Sequence, residues 1–163
     1  MRRIAFLIVS FLCFSQVVVA TPTVLTWDID KDLETTYRIV YKSLEKNKFF
    51  VVFEPNMQRN LSAFAERWGD NYNRSKLEGI RAMVFCNLWY TNEIGNADPD
   101  MLAMCPLHFT LIQRDGKTRV LFVRPTAVAA ASKALAIVTE LEQDISKVMA
   151  EAINDLRSCP EDC

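Results

Sequence analysis

Sulfur and a single imidazole are the chemistry this sequence offers. Cys86, Cys105, Cys159 and Cys163 stand in the body of the chain, Cys13 lies near its start, and His108 is the one histidine. In an oxidising compartment four cysteines act as staples and allow three full pairings. The expected pair Cys86–Cys105 closes a loop of about twenty residues, worth roughly 3 kcal/mol in the chain-entropy model. Cys159–Cys163 would close a small ring in the tail sequence Cys-Pro-Glu-Asp-Cys. The alternative is a thiol-redox or metal-handling site built from Cys86, Cys105 and His108. Two residues separate Cys105 from His108, a spacing that metal sites use, although Pro106 between them favours an extended segment over a chelating turn. A buried thiol can also serve as a small apolar side chain, and His108 as an ordinary packed or surface imidazole.

No catalytic constellation is present. Gly69, Gly79, Gly95 and Gly116 are isolated, so no phosphate-cradling loop exists, and one histidine excludes a His-pair zinc motif. No serine sits in a nucleophile elbow. Glu140 with Glu142 reads as a solvated helix face, and Asp98 with Asp100 as a helix start. Non-catalytic binding is the better expectation. Trp89-Tyr90-Thr91-Asn92-Glu93-Ile94-Gly95-Asn96 reads as a loop with two large aromatics among hydrogen-bonding groups. Trp89, Tyr90 and Asn92 are its candidate ligand-binding residues, aromatic walls with a few polar groups being usual in small-molecule pockets. The plain reading is that the two rings cover a sheet edge. No cofactor is implied.

The first twenty residues fix the expected compartment. Arg2 and Arg3 precede an apolar run from Ile4 to Cys13, and Val18 and Ala20 occupy the positions a signal peptidase reads. Residues 1–20 are therefore expected to be a secretory signal peptide, and 21–163 a single periplasmic or secreted domain. The stretch Ile4–Ala20 is short for a membrane span and carries Ser10, Ser15 and Gln16. No stable membrane insertion is expected after cleavage. Removing Arg2 and Arg3 takes the net charge from −1 to −3, which gives no argument for nucleic acid as a partner. Asn60-Leu61-Ser62 and Asn73-Arg74-Ser75 match the glycan acceptor pattern, but the signal is bacterial in style.

The elements that position these residues follow from periodicity and stop signals. Val24–Trp27 is a first strand. Asp28 or Asp30 then caps a helix carrying Leu33, Tyr37, Val40, Tyr41 and Leu44 at spacings of three and four. Phe49–Phe53 is a strand stopped by Pro55, and Asn60 caps a second helix that ends at Gly69. Residues 70–75 form a polar loop, Ile80–Leu88 an interior strand, and Asp98-Pro99-Asp100 the start of a short helix. Asp115-Gly116 marks a hairpin over Leu107–Arg124. Counting back from that turn pairs Leu111 with Val120 and Thr110 with Leu121, and sends His108 to the face opposite Phe109. A long helix runs from about Thr126 to Arg157.

The resulting order, β-α-β-α-β-(short α)-β-β-α, implies an α+β fold. It has two layers, with helices mainly on one face of an antiparallel sheet and a long helix at the C-terminal end. The uncovered hairpin face, with His108, Thr110, Leu121 and Val123, is too apolar to stand bare. It predicts a homo-oligomer joined through that face.

Four segments carry a family resemblance: Phe49-Phe50-Val51-Val52-Phe53, Phe85-Cys86-Asn87, Asp98 to Pro106, and Asp115 to Pro125. With them the chain resembles the family known as domain of unknown function 302 from about Thr23 to Asn154. The resemblance implies a small antiparallel sheet with helices on one side and no established enzyme activity. Members often carry a Cys-Asn step, matched here by Cys86-Asn87, and many have cysteine after the proline that follows the short helix. Here Cys105 precedes Pro106 and Leu107 takes the usual thiol position, so a role for that family thiol does not carry over.

Overall fold

The structure, a computed structural model, describes residues 22–159. Five strands form one antiparallel sheet: β1 (Val24–Ile29), β2 (Phe50–Phe53), β3 (Gly79–Cys86), β4 (Leu107–Arg114) and β5 (Lys117–Val123), in the order β1-β5-β4-β3-β2. The hairpin forms as its turn dictates. Asp115 and Gly116 take φ of 51° and 72°, the left-handed pair a two-residue hairpin needs. Leu111 pairs with Val120 and Thr110 with Leu121. Phe109 is buried and His108 exposed on the other face.

Helices cover one face, as an α+β fold requires. α1 (Leu33–Lys46) and α6 (Leu135–Ser158) lie against each other over the sheet, and the Ser43 hydroxyl donates to the Val148 carbonyl at 2.9 Å. Between sheet and helices lies a core in which Phe109 packs against Phe85 and Phe122 at ring separations of 4.9 and 5.2 Å. Val40 and Leu44 of α1 and Val138, Leu141, Ile145, Met149 and Ala152 of α6 close it.

The caps fall differently from expectation. Asp32, not Asp28 or Asp30, caps α1 by accepting from the Thr35 amide at 2.9 Å, because β1 runs on to Ile29 and takes Asp28 into the sheet. Asn56, not Asn60, caps the next helix. That helix is two short pieces, α2 (Met57–Ser62) and α3 (Ala65–Trp68). Trp89 to Asn96, expected as a loop, lie in a helix, α4 (Leu88–Ala97), which also takes Leu88 from the expected strand. Asn87 caps it by accepting from the amides of Trp89 and Tyr90 at 3.0 and 3.2 Å. A 3₁₀ segment, Pro99–Met104, follows.

The final helix is also divided. α5 (Pro125–Val128) precedes α6, and Ser132 occupies the break. Its hydroxyl donates to Asp98 at 2.6 Å and accepts from the Ala134 amide at 3.0 Å. A serine that bonds local backbone diverts it from a continuing helix. The 24 residues of α6 span about 36 Å. Glu142, expected on a solvated face, is buried. The Arg124 guanidinium and the Thr126 amide and hydroxyl enclose its carboxylate. The signal segment 1–20 and Cys163 lie outside the described residues.

Candidate functional site

The two mid-chain sulfurs meet at the N-terminal end of α4. β3 ends at Cys86, Asn87 turns the chain, and the first turns of α4 bring Thr91 back over it. The Thr91 hydroxyl donates to the Asn87 carbonyl at 3.0 Å and lies 3.1 Å from Cys86 Sγ. Cys105, directly after the 3₁₀ segment, lines the same small cavity as Cys86 and Thr91. Both thiols are free and half-buried. The expected Cys86–Cys105 bridge is therefore absent from this structure. Cys163 lies outside the described residues, and the Cys159–Cys163 pairing with it.

Burial raises the Cys105 thiol above its ordinary range; the Thr91 hydroxyl partly offsets this and the nearby Cys86 reinforces it. A hydroxyl has one hydrogen and two lone pairs. With that hydrogen on the Asn87 carbonyl, a lone pair is left to receive the S–H of Cys86. The hydroxyl can turn toward a sulfur that loses its proton. A cavity of about 10 Å³ adjoins the thiols, walled by Phe85, Ile94, Leu107 and Leu141. That is room for one atom the size of a water oxygen.

His108 belongs elsewhere. It lines an apolar cavity of about 300 Å³ with Met101, Met104, Phe122, Val123 and Val128, on the other side of the Cys105-Pro106-Leu107 segment. Cys105 and His108 thus serve different cavities and do not chelate together. Among the described residues no group of three His, Cys, Asp or Glu side chains is placed to hold a metal ion.

The aromatic and polar residues expected to line a pocket are separated by the helix they form. Trp89 is 66% exposed. Tyr90 turns inward, stacks on Phe49 at 6.3 Å and donates its hydroxyl to Asp144 at 2.6 Å. Asn92 bonds Glu93 on the surface. A wider groove of about 560 Å³ lies at the far end of the sheet, among Asp28, Asp30, Arg114, Lys117 and Arg119. Four of its charges pair with one another, Arg119 with Asp28 and Lys117 with Asp30.

Sequence reasoning missed Thr91, Met101, Met104 and Val128. An Asn immediately before two aromatic residues was the available sign of a helix cap at 87. The cavity has no such sign, because its walls come from two separate stretches of chain, 101–108 and 122–128.

A five-stranded antiparallel sheet with helices on one face and a capped Cys-Asn corner define a small α+β domain. The chain belongs to the family described as Domain of unknown function DUF302, whose family model matches residues 25–152. It is similar to the crystal structure of the uncharacterized conserved protein DUF302 from Bacillus stearothermophilus. The TM-score is 0.70 at 16% identity, over 81% of this chain and 99% of that one; at that identity the likeness concerns the fold. No curated protein matches the chain.

Proposed function

We propose that this is a non-enzymatic, exported binding domain whose ligand is a small apolar molecule with one hydrogen-bonding end. The observation that carries the reading is the cavity of about 300 Å³ between the 3₁₀ segment, β4, β5 and α5. Its walls are thioether, aromatic, proline and branched aliphatic, and His108 is its one ionisable side chain. Small-ligand sites of about 300–1,000 Å³ have this character, apolar walls for affinity and a sparse polar group for orientation. Methionines suit such walls because an unbranched thioether adapts to differently shaped ligands.

Export rests on the signal-like start at Arg2 to Ala20 and places the domain in the periplasm or outside the cell. In that compartment the tail cysteines, Cys159 and Cys163, act as a staple. No helix among the described residues is long and apolar enough to cross a membrane.

The test is a thermal-shift panel of short acyl and aromatic compounds with neutral, acidic or basic ends. The expected result is a concentration-dependent rise in melting temperature for one apolar class. Uniformly flat melting across the panel would sink the reading.

A further inference from the structure

We propose that Cys86 and Cys105 form a two-sulfur site for a soft monovalent cation of the Cu(I) class. This site is separate from the apolar cavity, so the two readings stand or fall independently.

The argument begins with donor count. Two free thiols line one small cavity beside Thr91, and no third His, Cys, Asp or Glu completes the set among the described residues. A structural zinc ion takes four ligands, and calcium or magnesium takes a shell of oxygens. Two thiolates satisfy neither. They do satisfy a closed-shell soft cation, which thiolate sulfur selects over harder metals.

The setting agrees with the count. The adjoining cavity of about 10 Å³ admits a single atom. Phe85, Ile94, Leu107 and Leu141 wall it, so a strongly hydrated ion entering it would lose its water without gaining oxygen ligands. The charge is also accommodated. Two thiolates with one monovalent cation leave one net negative charge, and Cys86 immediately precedes the cap of α4. The positive end of a helix dipole stabilises an anion there. Thr91, in the same helix, can turn its hydroxyl toward a bound thiolate.

The step balances. Two S–H bonds break and release two protons to solvent, two S–Cu bonds form, and copper stays in the +1 state throughout. Because thiols give up their protons on binding a metal, uptake is coupled to proton release and weakens as pH falls.

The experiment uses the purified, reduced protein under anaerobic conditions, with Cu(I) supplied in competition with a chromogenic chelator. Wild type is expected to hold one more equivalent than either Cys86→Ser or Cys105→Ser. Each variant is expected to lose affinity at that site by at least about 100-fold, the upper end of what losing an outer-shell partner costs. His108→Ala is expected to bind as wild type does. X-ray absorption on the loaded wild type reports the ligands without any variant, and a first shell of two sulfurs is expected. Full uptake by either serine variant, or a first shell of nitrogen and oxygen, overturns the proposal. So does a wild-type protein that takes no Cu(I) once both thiols are shown to be reduced.

Discussion

Arg124, the residue directly after β5, grips Glu142 in α6: its Nε and a terminal nitrogen approach one carboxylate oxygen at 2.9 and 2.6 Å. The other oxygen accepts from the Thr126 amide and hydroxyl at 3.1 and 2.6 Å. Every strong acceptor position on a buried carboxylate is thus filled, and the sheet, α5 and α6 are tied at one point. Removing Arg124 leaves that carboxylate buried without its counter-charge. Arg124→Ala is expected to lower unfolding free energy by about 3–5 kcal/mol, the cost of breaking a buried pair from one side. Urea denaturation of the two proteins measures it, and a loss near zero would show that water replaces the guanidinium.

The same carboxylate sets an acid limit on stability. Burial alone would raise Glu142, but the hydrogen bonds from Arg124 and Thr126 outweigh it and hold the carboxyl below its ordinary value of 4.5. A group depressed in the folded state contributes stability above its unfolded pKa and loses that contribution as pH falls through the folded value. Wild type should therefore exceed Glu142→Gln in stability at neutral pH, with the gap closing below about pH 4.5. Denaturation midpoints across that range check it. A gap that is constant with pH would mean Glu142 does not titrate with folding.

Thr91 makes a prediction about thiol reactivity. Burial raises Cys105, and the Thr91 hydroxyl works against that rise. Since the thiolate is the reactive form, Cys105 should alkylate more slowly at pH 8 than cysteine in an unstructured peptide. Thr91→Val should slow it further. Peptide mass mapping after timed iodoacetamide treatment follows Cys105 alone. Faster labelling in Thr91→Val would show that the hydroxyl shields the sulfur more than it stabilises the thiolate.

What the sequence disclosed and what it withheld divide along one line. The Asp115-Gly116 hairpin, its register and the exposure of His108 were legible, because turn chemistry and strand alternation act between near neighbours. The β2 and β3 strands were legible from their apolar runs. α4 was not. Thr91 and Gly95 are poor helix formers, and only Tyr90 and Ile94 of its ten residues are buried. Its stability comes from the Asn87 cap and from Tyr90, which reaches Phe49 and Asp144, residues 41 and 54 positions away. Tertiary contacts outweighed local propensity there. Glu142 was misread for a related reason: its partner Arg124 lies beyond the helix break between α5 and α6, which periodicity did not reveal. The nearness of Cys86 and Cys105 was legible from the neighbouring strands that end at the one and begin just after the other, but the structure leaves both thiols free.

The open sheet face makes a prediction about assembly. Val24 and Val123 pair across β1 and β5 and both stand exposed, 40% and 48%, with Val52 and Phe53 exposed along the β2 edge. An apolar sheet face with no helix layer is best covered by a second copy of the same face, which buries it symmetrically. Light scattering is expected to give a dimer for wild type, and Val123→Lys, which places charge in that face, is expected to shift it to monomer. A wild-type monomer at all accessible concentrations would refute the arrangement.

The apolar cavity can be tested by filling it. Val128 lines the cavity from α5 and is 54% exposed, so a larger side chain there has solvent on one side and need not strain the core. Val128→Trp should therefore leave the melting temperature of the free protein close to wild type while removing the rise caused by an apolar ligand. His108→Ala separates orientation from affinity. If His108 bonds the polar end of the ligand, its loss should weaken binding of that compound by roughly 2- to 10-fold, the worth of one hydrogen bond. A wholly apolar analogue should bind unchanged. Equal weakening of both compounds would place His108 in the wall as a packing residue, and unaltered binding by Val128→Trp would locate the ligand outside this cavity.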